Sequence, residues 1–377
     1  MSVKYKYDIT YVFGKGRKSK LESNEISGNE FFYGYPYFEK KHYKLNIIET
    51  DEPSSSKYFK KYFGILDNLL ARATKLTFYK NALISKNTLG QIYNSKNIVT
   101  SNHGIGMTLF MYIFFMKKRK KINFIVILSG LFAMRKSKFI VRVLRKLIFS
   151  WFLSTVDYLI FTNKSEYQFA CKKYPRVKKK FVCLPFCIDT EFWKPKNKDK
   201  FSQKKGILFI GNNGHRDFDL VVKIANKLEN IPFTFITNQI KTEEISSSNV
   251  SNITGDWNMG YLTDVEIKEY YERSKLVILP IKNTLVSSGQ SAGLQSAAMG
   301  TPVMTTATIG FWDYEKYEHL KNIIFVENNE FDKWINLINE LYFDIEKLQS
   351  LSENGIRLIK NSYTLDKFDV ELEKLLI

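Results

Sequence analysis

Along the first half of the chain, short runs of β-branched and aromatic residues alternate with longer stretches whose apolar positions recur at helical spacing. That alternation predicts a parallel sheet with crossover helices. Tyr7–Phe13 reads as a strand and runs straight into Gly14-Lys15-Gly16-Arg17. Helices are predicted over Glu30–Lys40 and Lys57–Tyr79, with a strand over Tyr43–Glu49 between them. Asn97–Ser101 is a buried strand ending at Asn102-His103-Gly104. The apolar helix Met107–Met116 follows, then strand Asn123–Leu128 ending at Ser129-Gly130. Lys138–Leu153 is a basic amphipathic helix, Tyr158–Thr162 a strand, Ser165–Lys172 a helix and Phe181–Leu184 a last strand before Pro185.

Residues 194–205 (KPKNKDKFSQKK) are polar and without periodicity, which marks a linker. From Gly206 the alternation restarts. Strands are predicted over Gly206–Ile210, Phe233–Ile236, Leu276–Pro280 and Pro302–Thr306. Helices are predicted over Phe218–Leu228, Thr263–Arg273, Gln290–Ala298, Phe331–Asp344, Leu351–Tyr363 and Leu365–Leu376. The expected fold class is α/β, with two doubly wound Rossmann-like domains. One spans 1–193 and the other 206–362, and a helix over 363–377 packs back on the first. Ligands of such sheets bind beyond the carboxyl ends of the strands, and a cleft between two facing domains is the default site.

The 377 residues are 44% hydrophobic and 15% aromatic, enough to build two cores and unlike a disordered chain. Lys and Arg number 57 against 38 acids, a net charge of +19, and the excess is not evenly spread. Residues 1–190 carry 35 basic and 12 acidic side chains, a net of +23, while the remainder carries −4. The first lobe is therefore expected to face an anionic partner. Cys171, Cys183 and Cys187 are too few for a disulfide scaffold and fit a reducing compartment. They lie far in sequence from His42, His103, His215 and His319, so no zinc pattern arises, and there is no Asp-x-Asp for another metal. The N-terminal residues show no apolar signal region, and Met107–Met116 and Ile122–Met134 are shorter than a membrane-spanning helix.

The most informative stretch is Leu276–Thr306. Ser287-Ser288-Gly289-Gln290-Ser291 falls where a helix begins, so unpaired N–H groups and the helix dipole favour an anion such as a diphosphate. Gly289 lets that ligand approach the backbone closely, and Gln295 offers its amide to a ribose hydroxyl. In Gly206–Asp217 (GILFIGNNGHRD), Arg216 brings a guanidinium whose fork matches phosphate oxygens, with a solvated loop charge as the alternative. His103 ends a strand before Gly104 and Gly106, where an imidazole can orient sugar hydroxyls or help deprotonate an acceptor. His215 is the alternative for that role. Gly14, Gly16, Ser129 and Gly130 follow strands and are candidates for the acceptor side of the cleft, or simple turns.

These residues carry a resemblance. The run Ser287–Thr306 is similar to the donor-site motif of group 1 glycosyltransferases (GT4, retaining, GT-B fold), roughly E-x7-E followed by A-M-A-x-G-x-P-V. Ala297-Ala298-Met299-Gly300-Thr301-Pro302-Val303 matches its second part, while Ser287 and Gln295 stand where the family has glutamates. Leu184–Pro195 resembles the interdomain P-x-G-V-D-x-x-x-F-x-P stretch, with Cys187 in the glycine position. Gly206–Asp217 resembles the first C-domain strand and its phosphate loop, where Asn212 and Arg216 take the places of an Arg and a Lys. Gly260–Pro280 resembles the stretch whose first loop, at Gly260, holds the nucleotide base. The resemblance implies a GT-B architecture and a nucleotide-sugar co-substrate held by Arg216, Ser287, Ser288, Gly289, Gln290, Ser291, Gln295 and Gly260. It also implies transfer with retention, and neither a bound cofactor nor a metal.

From Asn68 to Val156 there is no acid in 89 residues that hold 16 Lys or Arg. Lys117-Lys118-Arg119-Lys120-Lys121 forms one cluster. Arg135, Lys136, Lys138, Arg142, Arg145 and Lys146 form another on a helix that also carries Phe139, Ile140, Val143, Leu144, Leu147, Ile148, Phe149, Trp151 and Phe152. Such a helix lies in a membrane interface or packs into a core with a solvated basic side. No recognition motif accompanies the charge, so nucleic acid is not an expected partner. The expected protein is a glycosyltransferase, peripheral at the cytoplasmic face of a membrane. It takes a lipid-linked or glycan acceptor in cell-envelope glycan or glycolipid synthesis. A nucleotide-sugar epimerase of the same fold, or a non-catalytic carbohydrate- or membrane-binding module, is the alternative.

Overall fold

The strand β1 (Tyr7–Phe13) starts a six-stranded parallel sheet with β2 (Leu45–Glu49), β3 (Ser95–Thr100), β4 (Asn123–Leu128), β5 (Tyr158–Phe161) and β6 (Phe181–Cys183). Its order is β2-β1-β3-β4-β5-β6. β4, with the sequence NFIVIL, is buried along its whole length. A central parallel strand covered on both faces needs such a continuous apolar run. The helices are α1 (Arg17–Glu22), α2 (Tyr35–Lys40), α3 (Lys57–Thr74), α4 (Lys80–Leu83), α5 (Lys86–Tyr93), α6 (His103–Lys117), α7 (Phe139–Thr155) and α8 (Lys164–Lys173). The computed structural model describes residues 4–23, 25–50, 57–128, 130–133, 138–196, 201–254 and 262–377.

A second parallel sheet holds β7 (Ile207–Ile210), β8 (Phe233–Ile236), β9 (Val250–Ile253), β10 (Leu276–Leu279), β11 (Val303–Thr306) and β12 (Ile324–Val326), in the order β12-β11-β10-β7-β8-β9. Helices α9 (Phe218–Lys227), α10 (Asp264–Arg273), α11 (Gln290–Ala298), α12 (Phe331–Tyr342) and α13 (Ile345–Ser362) accompany it, and α14 (Leu365–Glu373) ends the chain. Phe209, Phe235, Ile278, Met304 and Ile324 of the strands form one core with Val221, Ile224, Trp334, Ile338 and Leu348 of the helices.

The chain divides into two units, and each is interrupted in sequence. The first contains Met1–Glu25, Phe32–Leu184 and Asp369–Ile377; the second contains Ile26–Phe31 and Pro185–Phe368. The long middle segment of the first unit thus stops at Leu184, and residues 185–193 group with the second unit. Phe186, Cys187, Ile188 and Trp193 are buried, and the Ile188 N–H donates to the Tyr363 carbonyl at 2.9 Å inside the second unit.

Three helical expectations change. Glu30–Lys40 is not one helix: residues 30–32 make a single 3-10 turn, and α2 begins only after Gly34, whose φ is +87°. The helix expected to reach Tyr79 stops at Thr74, where Lys75 turns to a φ of +59°. In the other direction, α13 starts at Ile345, ahead of the expected Leu351. Strands β9 and β12 had no counterpart in the expected pattern. Both are short edge strands: β9 reads VSNI and is half polar, and β12 is apolar but only three residues long (IFV).

Gly106 sets how closely α6 lies on β4. A Cβ there would sit 2.8 Å from Val126 Cγ1 and 3.0 Å from Val126 Cγ2, in a core that has no room to give. Gly106→Ala is expected to cost about 1–3 kcal/mol of stability. Urea unfolding measures it, and a neutral result would show that α6 is free to shift.

Candidate functional site

In each sheet the chain order reverses once, and the crevice at that reversal is where doubly wound folds bind ligands. In the second unit the reversal lies between β7 and β10. The loops after these two strands carry Arg216 and the turn Ser287–Gly289.

Arg216 is only 4% exposed. Its guanidinium carbon lies 5.7 Å from the centre of the Phe209 ring, and its Nε and Nη1 have no hydrogen-bond partner. Among the described residues it forms no ion pair. Burial pulls its pKa down to about 10, opposed by the nearby Tyr271, and the side chain stays cationic at neutral pH. Two glycines make room for it. At Gly211, with φ +129°, a Cβ would fall 2.4 Å from Arg216 Nε; at Gly289, with φ +79°, it would fall 3.4 Å from Nη1. Gly289 is also the residue that caps α11, and it has no side chain to satisfy the helix N–H groups. The hydroxyls of Ser287 and Ser288 are buried without partners beside it. Gln290 is buried, and Ser291 is partly exposed. Cation, orphan hydroxyls and helix start therefore converge within one unit, all of them suited to an anion.

Asn212, the other polar residue of the phosphate loop, accepts from Thr237 Oγ1 at 2.9 Å and from the Asn238 N–H at 2.8 Å, and so braces the loop. His215 fixes the same loop through its carbonyl, which accepts from the Lys282 N–H at 2.8 Å. Gln295 has both ends of its amide engaged. Its Nε2 donates to Glu30 Oε1 at 2.7 Å, and its Oε1 accepts from the Tyr271 hydroxyl at 3.3 Å. A ribose hydroxyl would have to replace one of these bonds. Gly260 lies outside the described residues.

Glu30 was not among the sequence candidates. It lies 265 residues from Gln295 in sequence, inside a stretch that reads as helix. Trp193 Nε1 donates to the same Oε1 at 2.8 Å, and Oε2 is buried without a partner. Asp264 holds the neighbouring Gly28 N–H at 3.2 Å. Burial pushes the Glu30 carboxyl up to about 7, against the lowering effect of its hydrogen bonds with Gln295 and Trp193.

In the first unit the reversal lies between β1 and β3. Gly14 and Gly16 follow β1, and a Cβ at either would meet nothing within 4 Å. His103 opens α6 just after β3, behind the cap Asn102, whose Oδ1 accepts from the Ile105 N–H at 3.0 Å. Burial pulls the imidazole down to about 4, and a helix N-terminus disfavours its cation too. His103 is a neutral hydrogen-bonding group at physiological pH, with a buried Nδ1 that has no partner. Gly130 follows β4, and its N–H donates to Glu166 Oε2 at 2.9 Å while the Phe132 N–H donates to Oε1 at 2.8 Å. The buried Glu166 thus pins this turn, another role the sequence did not disclose. Ser129 lies outside the described residues.

The raised Glu30 pKa has a sign that can be tested. Folding lifts it from near 4.5 to about 7, so the folded protein holds that proton more tightly than the unfolded chain. Stability therefore falls as pH rises through this window. Glu30→Gln removes the slope and is expected to gain up to ~3 kcal/mol on the parent at about pH 8, with little difference near pH 4. Chemical denaturation across pH measures it; a pH-independent offset between the two proteins would contradict the assignment.

No protein-family model matches the chain, and no curated protein sequence matches it. Solved structures do. Sucrose-phosphate synthase from Thermosynechococcus elongatus aligns with a TM-score of 0.68 at 11% identity, over 98% of this chain and 98% of its own. HepE from Anabaena, solved with UDP and glucose, aligns with a TM-score of 0.64 at 10% identity, over 98% and 99%. A glycosyltransferase from Rickettsia africae aligns with a TM-score of 0.63 at 11% identity, over 98% of each chain. At such identities the likeness is one of fold: two Rossmann-like α/β domains in the GT-B arrangement of secondary structure.

Proposed function

We propose that this chain is a glycosyltransferase, a hexosyltransferase whose donor is a nucleoside-diphosphate sugar held by the second unit. One observation carries the proposal: the buried, uncompensated Arg216 guanidinium beside the Gly289 helix start and the orphan hydroxyls of Ser287 and Ser288. A diphosphate satisfies all of these groups at once. The same fixed donors stabilise the charge that grows on the diphosphate as the sugar departs, which is the larger part of catalysis in such a site. The fold shared with HepE, solved with UDP and glucose, supports this donor class, and the match of Ala297–Val303 to the retaining group 1 motif supports transfer with retention. Glu30 holds Gln295 in place from within. His103, neutral at the reversal point of the first sheet, is proposed to orient hydroxyls of the acceptor or the transferred sugar. The acceptor is proposed to be a glycan or a lipid-linked sugar of the cell envelope.

Arg216→Met separates the two roles of the guanidinium. Replacing an unpaired buried cation by an apolar side chain of similar volume stabilises the unliganded protein. The loss of charge-assisted bonds weakens nucleoside-diphosphate binding by at least about tenfold. Thermal melting of the parent with UDP, GDP and ADP, then calorimetry on both proteins, reads both effects. If no nucleoside diphosphate raises the parent's melting temperature, the donor site is wrong. If a nucleotide-sugar is converted into another nucleotide-sugar without any acceptor and without release of nucleoside diphosphate, the activity is an isomerisation rather than transfer.

A further inference from the structure

Helix α7 carries Phe139, Ile140, Val143, Leu144 and Leu147 on an arc of about 140°, counting 100° per residue, and all five are exposed. Phe139 and Ile140 are 71% exposed and Leu147 63%, whereas Phe149, Phe152 and Leu153, further along the helix, fill the core. Helix α3 packs against α7 and adds exposed Tyr62, Ile65 and Leu69, spaced as one helical face. Phe115, near the end of α6, is exposed as well, with the Lys118 ammonium 5.4 Å from its ring centre. Isolated exposed apolar residues are ordinary, but three adjoining helices presenting large ones together mark an interaction surface.

The charge around these residues identifies the partner. Arg142, Arg145 and Lys146 flank the apolar arc on α7, and no acid occurs between Asn68 and Val156. Beside α7 opens a cavity of about 450 Å³ lined by Lys146, Lys173, Tyr174 and Arg176, with no acidic residue in its wall. Among the described residues these three cations form no ion pair. Burial, and the charge of Arg145, lower the pKa of Lys173, which sits between the rings of Phe169 and Tyr174. A cavity lined by three cations, of which Lys173 lies over the Tyr174 ring, suits a phosphate group, and an apolar arc on the same helix as Lys146 suits acyl chains. Among the described residues no helix is long and apolar enough to cross a membrane, so contact here is with the surface of a bilayer.

We infer that α7, with the adjoining faces of α3 and α6, docks on an anionic phospholipid bilayer, and that the Lys146–Lys173–Arg176 cavity receives a lipid phosphate. The apolar arc enters the headgroup region while the cations stay at phosphate level. This inference concerns the first unit alone and holds whether or not the donor site is as proposed above.

Vesicle flotation tests it. The full chain is expected to float with phosphatidylcholine vesicles containing phosphatidylglycerol, at least about tenfold more than with phosphatidylcholine alone, and to be released by salt. The pair Lys146→Glu and Arg176→Glu, and separately the charge-neutral pair Ile140→Ser and Leu147→Ser, should each abolish flotation. Their circular dichroism spectra and cooperative melting should match the parent's, which establishes that they fold. Lys223→Glu, a charge reversal on exposed α9 of the other unit, should leave flotation unchanged. Absence of flotation with anionic vesicles overturns the inference, and so does equal loss from Lys223→Glu, which would reduce the effect to net charge. Persistence of flotation in the Ile140→Ser and Leu147→Ser variant removes the role of the apolar arc.

Discussion

A guanidinium withdrawn from water without a counter-charge is among the most costly arrangements a folded protein can retain. Arg216 is in that state, and the local architecture around it is arranged to permit it. Gly211 and Gly289 both take left-handed backbone conformations, and the first must lack a Cβ or collide with the guanidinium. The aromatic face of Phe209 supplies weak electrostatic compensation. Among the described residues no carboxylate pairs with the charge, an arrangement that favours an anion at this chain reversal. The loops after β7 and β10 are built around that deficit.

The two units use the same crevice differently. In the second, polar groups at the reversal are left unsatisfied, which favours a ligand. In the first, they are largely satisfied internally: Glu166 takes the N–H groups of Gly130 and Phe132, and Asn102 takes that of Ile105. Among the described residues, His103 Nδ1 and the Thr100 hydroxyl at the end of β3 are the exceptions there, both buried and unpaired. Internally braced loops whose spare polar groups are a neutral imidazole and a hydroxyl suit orientation of a neutral hydroxyl-rich molecule better than capture of an anion. The basic excess of the first unit is instead displayed on its helices.

The central strands were legible because burial on both faces writes an unmistakable apolar run, as in β4 and β10. The edges were not: β9 reads VSNI, and half of it is polar. Arg216 and the Ser287–Ser291 turn stood out because a guanidinium after one strand and a glycine at a helix start after another both suit a diphosphate. Glu30 did not, since its partners Trp193 and Gln295 are far along the chain and only the tertiary structure joins them. The predicted helix over Glu30–Lys40 broke because Gly34 adopts a conformation that no pattern of hydrophobic residues reports. The basic stretch of α7 was visible as composition, but which of its apolar residues reach solvent and which fill the core could be decided only by packing.

The segmentation of the units bears on how the protein can be made. Residues 26–31 leave the ribosome long before the strands of the second unit, yet they belong to it, and the last nine residues complete the first. The second unit cannot be completed before Phe368 is made, nor the first before residues 369–377, so apolar surface of the first must wait, partly uncovered, through synthesis of the second. A truncated gene cut at the polar 194–205 stretch would leave Trp193 Nε1 and Gln295 Nε2 on separate polypeptides, each parted from another of Glu30's partners. Dissecting this protein into autonomous halves therefore calls for grafting or circular rearrangement rather than simple cleavage.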